Sequence, residues 1–561
     1  MATNNNLKDR DAQLKILEVA FGLQAVTGDL AWSFNTGTAP SNIVTAYHAL
    51  GEGEWDGIDQ LFFKGVQIPS SDYHWHSGAL ATGMLSGPQQ VDSWFAKDVP
   101  HSRTAAIGFK CPVGLADADT LKNPPEGFKG IFRTKKVPNF NSSGTQTDFS
   151  YSANPARCIV ELLKSYARLP NLPTTYSALA DYWISRIDWA NWCDFRDYHE
   201  QTETVDYTTI TDFDGIGLTA SFFSDTALTT LVRSFIQPTM DSQGTSSAPP
   251  VYGVSGGSFS ARFEGKIRAK YTETYTFRVT HDDGAKLWVN GSLIVDKWTT
   301  TGTDTGTIAL TAGQLYDIKL EWKNTTGDWD IRLEWNSTSQ PYETVPETRL
   351  YPVASTQKLY ETHVRFTAAT NPADAIREIL FQSNSKMQDV NGKLRFYCLE
   401  DLSSTFTLDD AVIDRFSFRR RDILQADPVT ALEAKFQDIE SNSLEEPFNP
   451  VQVELDTFNR KTAENVQIIN LFNTTRWRAR KILQMRAKLD FENRMFAELE
   501  AKQSKSYPIV AGDVITVDHR KLSSATTFLV REAVDRSTAD IGGGQGTEAE
   551  SRTFTLQEWA V

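Results

Sequence analysis

Cysteine is scarce in this chain: Cys111, Cys158, Cys193 and Cys398 are the four among 561 residues. So few and so dispersed, they exclude a disulfide framework, and the lack of any Cys-x-x-Cys pair excludes a zinc ribbon. They read as reduced core residues. No run of about 18 apolar residues occurs, which excludes a membrane-spanning helix, and Met1 to Arg10 is polar and charged without the apolar segment of a signal peptide. The expectation is a chain synthesised in a cytoplasm, neither exported by a leader nor membrane-spanning. Basic charge is in deficit too, with 56 Lys and Arg against 71 Asp and Glu and a net charge of −15. Specific nucleic-acid recognition needs a basic face to replace phosphate counterions, so it is not expected. A Walker loop, a strand-led GxGxxG and HExxH are all missing.

What is plentiful is aromatic and apolar: 11% and 40% of residues, enough for several cores. At roughly 150 residues per domain the length allows about three or four domains. Between residues 215 and 352 apolar residues fall on every second position: Phe259, Ala261, Phe263 and Ile267, then Tyr275, Phe277 and Val279, then Tyr316, Ile318, Leu320 and Trp322, then Ile331, Leu333 and Trp335. Polar partners such as Arg262, Glu264, Arg278, Lys319 and Arg332 alternate with them, the pattern of half-buried strands. Asn290-Gly291 sits between two such runs, and both residues suit the positive φ of a tight hairpin turn. The segment is predicted to be an antiparallel β-sandwich.

Two adjacent acids, Asp282 and Asp283, stand at the end of one of these strands, before Gly284. They could merely cap amides in a turn. They could also hold calcium, which takes six to eight oxygens from carboxylates, carbonyls and water, given help from a second loop. The polar loop Asn324-Thr325-Thr326-Gly327-Asp328-Trp329-Asp330 could supply that help, with Asp328 as the first choice and Asp330 as the reserve. Trp329 is a candidate platform for the apolar face of a sugar, or else a core residue. Gly253-Val254-Ser255-Gly256-Gly257 spells GxSxG but lacks the strand-before, helix-after setting of a nucleophile elbow. His74-Trp75-His76 places two imidazoles on one strand face with no third ligand nearby. His199-Glu200 and Asp518-His519 read as surface polar groups. No catalytic residue is assigned.

The flanks are mixed. Short strands fill the first 150 residues, including two around Lys64-Gly65. Helices are predicted from Asn154-Pro155, over Tyr176 to Ser185, over Trp189 to Tyr198, and from Asn371-Pro372. Thr204 to Ile210, Leu359 to Thr367 and Val451 to Phe458 read as strands. Trp477 to Lys502 reads as a helix whose Arg476, Arg478, Arg480, Lys481, Arg486, Lys488 and Arg494 form a solvated or inter-subunit basic face. The organisation is a host of residues 1–214 and 353–561, interrupted by the sandwich at 215–352.

Gly217 to Phe223, Phe259 to Gly265, Tyr275-Thr276-Phe277, Asp282-Asp283-Gly284, Leu287 to Gly291, Val295 to Trp298 and Ile331 to Trp335 together resemble the protective-antigen-type lectin-like module of yeast flocculins, bacterial adhesins and some glycosidases. In sugar-binding relatives an acid pair joined by a cis peptide holds calcium, which holds sugar hydroxyls. The resemblance therefore implies Asp282 and Asp283 as metal ligands and a host-surface glycan as partner. The host segments Gly51 to Ile68, Asn154-Pro155-Ala156, Ala190 to Asp194, Asn371 to Leu380, Asp389 to Leu394 and Gly512 to Val517 resemble, in their order, the hub or tip-attachment proteins of tailed bacteriophages. That resemblance implies an α+β multidomain fold with hub β-barrel-type domains. It also implies a homotrimer at the distal tail tip of a virion, assembled in the host cytoplasm with a distal tail ring, a tape measure and tip fibres.

Overall fold

The computed structural model describes residues 19–26, 29–36, 42–63, 66–68, 73–77, 104–113, 128–165, 176–210, 214–246, 250–251, 253–254, 256–366, 370–402, 404–414, 417–421, 429–442, 444, 446–447, 451–455, 465–491, 495–502, 506, 508–509, 513–536 and 551–559. Lys64-Gly65, Ser255 and Arg494 lie outside them. The fold is α+β and multidomain, built of several largely antiparallel sheets and a few helices.

The alternating segment forms two facing sheets. Its strands are β1 (Leu218–Phe223), β2 (Leu231–Gln237), β3 (Asp241–Gly244), β4 (Phe259–Arg268), β5 (Glu273–Asp282), β6 (Gly284–Val289), β7 (Ser292–Lys297), β8 (Gly302–Leu310), β9 (Leu315–Asn324), β10 (Trp329–Ser337), β11 (Gln340–Thr344) and β12 (Leu350–Pro352). One sheet runs β2-β1-β4-β9-β6-β7 with β12 beside β4; the other runs β3-β10-β5-β8 with β11 beside β10. Because side chains alternate across a strand, Phe259, Phe263, Phe277, Leu320, Trp322, Leu333 and Trp335 all point into one shared core. Phe259 meets Trp322 edge to face at 4.8 Å. Asn290 (φ 50°) and Gly291 (φ 73°) make the turn between β6 and β7.

Segments from before and after the sandwich pack together. Val19–Phe21 pairs antiparallel with Val364–Phe366, from opposite sides of the sandwich. Helices α1 (Pro155–Ser165), α2 (Tyr176–Arg186), α3 (Trp189–Glu200) and α4 (Pro372–Gln382) pack with Phe21, Val137 and Phe396 in a common core. Asparagine caps start two of them: Asn154 Oδ1 accepts from the amide of Ala156 and Asn371 Oδ1 from that of Ala373, both at 2.9 Å, with proline in each first turn. Among the described residues no helix is long and apolar enough to cross a membrane.

The chain leaves for the sandwich along Thr202–Val205 and returns along Ser355–Lys358, and these two segments pair with each other as a stem. The alternation predicted over Thr204 to Ile210 therefore ends at Val205, and that over Leu359 to Thr367 is replaced by strands Ser355–Lys358 and Val364–Phe366. Glu440 grips the stem. Its carboxylate accepts from Tyr207 Oη on the outgoing arm and Gln357 Nε2 on the returning arm, each at 2.6 Å. Its carbonyl takes the amide of Ile236 on β2 at 2.8 Å, and Arg233 of β2 reaches Asp59 at 3.2 Å. Burial, with Asp438 adding to it, pushes the Glu440 carboxyl well above the usual carboxylate range.

Three expectations for the C-terminal part and the histidines fail. Helix α5 covers Arg476–Arg486 and runs on as a π-helical turn to Phe491, but Phe496–Lys502 is a strand inside a six-stranded sheet. Ala497, Leu499 and Ala501 face that sheet's core, so pairing overrides the helical propensity of Ala, Glu and Lys. Arg476 and Arg478 are not on a solvated face: at 5% and 3% exposure they turn inward to Asp438 (3.1 Å) and Glu361 (2.5 Å). His199 and His519 are buried rather than superficial. His199 Nδ1 lies 2.7 Å from the Phe195 carbonyl, and burial lowers its imidazole pKa to about 4. Cys158 and Cys398 are free and buried, and Cys193 is free and half-buried.

Candidate functional site

Asp282 is the last residue of β5 in one sheet, and Gly284 the first of β6 in the other. Asp283 is the single residue between these two strands, so the acid pair sits on the rim of the sandwich. Core groups hold its backbone: Trp322 Nε1 donates to the Asp282 carbonyl at 2.8 Å, and the Asp283 amide donates to the Lys323 carbonyl at 2.9 Å. The peptide between the two acids is cis.

The two carboxylates converge. Thr301 Oγ1, in the loop after β7, lies 2.8 Å from Asp282 Oδ1 and 3.4 Å from Asp283 Oδ1. Asp283 Oδ2 accepts from the Thr325 amide at 2.7 Å and from the Thr325 hydroxyl. Partial burial opposes ionisation of Asp283, but the Thr325 hydrogen bonds outweigh it and hold its carboxyl below the ordinary range. His281, wholly buried, lies with Nδ1 3.1 Å from the Asp283 carbonyl and Nε2 3.2 Å from Asp304.

The loop after β9 does come to the acid pair, though not with the residues first chosen. Asp328 instead accepts from the Ser246 amide at 3.2 Å. Asp330, the reserve, is the register partner of Asp282 across β5 and β10. Burial raises its carboxyl pKa, Arg332 opposes that, and Asp241 and Asp282 add to it. Trp329 is a core residue, 6% exposed, packed 6.0 Å from Trp322 and 6.2 Å from Phe259 between ring centroids. Covered in this way, its ring offers no open face for a sugar. Thr301 escaped the sequence reading, since nothing marks a threonine 18 residues away as a neighbour of the acids; the sequence does point to the loop of Asn324 and Thr325, but to Asp328 within it.

Calcium wants hard oxygens, and the rim supplies them. Asn324, fully buried, gives its amide hydrogens to the carbonyls of Gly256 (2.9 Å) and Gly327 (3.3 Å), and its buried Oδ1 has no hydrogen-bond partner among the described residues. Among the described residues no three His, Cys, Asp or Glu side chains gather into a metal-holding group. Two carboxylates completed by amide, carbonyl and water oxygens would suit calcium and not zinc. Ser255 of the GxSxG match lies outside the described residues, and the strand after it begins at Phe259. His74 and His76 stand on the strand Tyr73–His76.

Residues 216–349 match the family model of the PA14 domain. The anti-sigma-I factor RsgI3 of Acetivibrio thermocellus is 33% identical over 149 residues, 26% of this chain and 22% of that protein. The chain thus spans about a fifth of the length of that curated relative. Among solved structures, the PA14 sugar-binding domain from an RTX adhesin is 16% identical, covering 25% of this chain and 99% of its own, with a TM-score of 0.22. A chain of the virion of a native gene transfer agent particle is 11% identical, covering 97% of this chain and 84% of its own, with a TM-score of 0.46.

Proposed function

We propose that this chain is a structural virion protein of a phage-type tail, a hub-like scaffold at the distal tip that carries a calcium-dependent glycan-binding module. The observation that carries the binding half is the convergence of the Asp282 and Asp283 carboxylates at the rim of a PA14 module. Asp282, Asp283 and the Asn324 amide oxygen would hold the ion, and Thr301 and Thr325 orient the carboxylates. Calcium supplies a Lewis-acidic centre with coordination positions open to sugar hydroxyls. The virion half rests on the ordered resemblance of the host segments to tail hubs, and the sandwich's own core together with the paired stem supports reading it as a decoration of that host. Three subunits in a trimeric ring, with a distal tail ring, a tape measure and tip fibres as neighbours, would present three modules and multiply weak contacts through effective concentration. The module binds and does not turn over its ligand in this reading.

Retention of the full chain on bacterial envelope glycan, in calcium and in chelator, tests the binding half. Calcium-dependent retention lost in an Asp282→Ala, Asp283→Ala double variant is expected; retention unchanged by chelator and by the double variant would sink it. Native mass and particle imaging test the hub half, and a monomer under every condition, tail extract included, would count against it.

A further inference from the structure

Trp298, Lys286 and Lys323 stand beside the acid pair and have no part in the reading above. The loop that carries Trp298 and Thr301 is pressed onto Gly284: a Cβ there would lie 2.0 Å from the Trp298 carbonyl oxygen. Glycine at that position lets the loop close, and the closure delivers Thr301 to the carboxylates and Trp298 to the adjacent sheet face. Over the half-buried Trp298 ring lie two ammonium groups, Lys323 Nζ at 5.0 Å and Lys286 Nζ at 5.9 Å from the centroid. Lys323 is tied to the site through its backbone, as the register partner of Gly284 and the acceptor for the Asp283 amide.

Most charges of this outer face are matched, and Lys323 stands apart. Glu321 is matched twice over, by Arg262 at 3.0 Å and Lys319 at 3.4 Å, and Asp296 faces Lys286 at 3.4 Å. Among the described residues Lys323 has no carboxylate at ion-pair distance. With Glu264 also opposite Lys319 across β4 and β9, Lys323 is the cation of this group left without a matching acid. An ammonium over a half-buried indole is held only weakly. A charge-assisted hydrogen bond to an anionic oxygen is stronger than a neutral one, so an acid group delivered here would become the main partner of Lys323. The ring would remain to cover an apolar sugar face.

We propose that the ligand of this rim is an acidic glycan, its carboxylate or phosphate held by Lys323 and Lys286 over Trp298 while its hydroxyls face the Asp282-Asp283 pair. This rests on the calcium-and-glycan reading and narrows its substrate class. The test is calorimetry on the full chain in saturating calcium. The probes are methyl glycosides of glucose, galactose and mannose, each beside its uronic acid and its 6-phosphate. A single hydrogen bond to a charged group predicts an acidic sugar bound roughly tenfold more tightly than its neutral counterpart. Whether carboxylate or phosphate gains more identifies the acid group. The double variant Lys286→Gln, Lys323→Gln is expected to lose that advantage, with neutral-sugar affinity and thermal transition unchanged. Equal binding of neutral and acidic sugars, or an advantage that survives the double variant, overturns the proposal while leaving calcium-dependent glycan binding in place. No calcium-dependent binding of any probe overturns both.

Discussion

Replacing Asp438 with alanine should loosen the scaffold without touching the sandwich. Arg476 and Asp438 bury their side chains to 6% and 5% exposure and meet at 3.1 Å. Among the described residues Arg476 Nη1 has no hydrogen-bond partner, and Asp438 is the carboxylate that meets the guanidinium at ion-pair distance. Asp438 Oδ1 also accepts the amide of Glu440 at 3.0 Å, the residue that grips both arms of the stem. Removing one partner of such a buried pair costs about 3–5 kcal/mol, because the other charge stays behind unpaired. At roughly 2 cal/mol/K of unfolding entropy per residue, a scaffold of roughly 420 residues shifts by about 1 °C per kcal/mol, so its transition should fall by about 3–6 °C. Scanning calorimetry reads it directly, with the sandwich, which has its own core, as internal reference. Replacing both partners by apolar residues of similar volume, Asp438→Leu with Arg476→Met, should recover most of the loss. A shift of under about 1 kcal/mol, the scale of a surface pair, would refute the reasoning. So would an equal shift of both transitions.

Three further outcomes are expected. Burial holds the His199 imidazole at about 4, so below its ordinary value of 6.5 the unfolded chain takes a proton that the folded chain refuses. Its contribution is complete above pH 6.5 and declines as pH falls toward 4, by on the order of 3 kcal/mol; urea melts of His199→Gln should lose that slope, and an unchanged slope would contradict it. Trp329→Ala should cost the sandwich about 3–5 kcal/mol while calcium-dependent glycan retention persists below the lowered transition; loss of retention at unchanged stability would make the ring a platform after all. Gly284→Ala should drive the loop of Trp298 and Thr301 off the rim and abolish retention, and wild-type retention would show that the loop's closure is not needed.

Local chemistry was legible in the sequence, and distant pairing was not. Asn290-Gly291 and Asn371-Pro372 announce a turn and a helix start because the neighbouring residues alone decide them. Period-two alternation revealed the sandwich for the same reason. Arg476 looked solvated because its acid lies 38 residues away, and Phe496–Lys502 looked helical because its partner strands lie elsewhere in the chain. At the rim the two acids could be read because they are adjacent. Thr301 could not, since the folding of a separate loop onto Gly284 is what brings it there, and within the second loop the acid Asp328 drew attention away from Thr325, which makes the contact.

The central claim is that a sandwich carrying the binding site interrupts one continuous scaffold. The most direct test is calcium-dependent glycan retention by a chain in which residues 215–352 are replaced by a short Gly-Ser turn between the paired stem segments Thr202–Val205 and Ser355–Lys358. The account expects a folded scaffold with no retention. A scaffold that fails to fold without the sandwich, or retention that survives its removal, would contradict it.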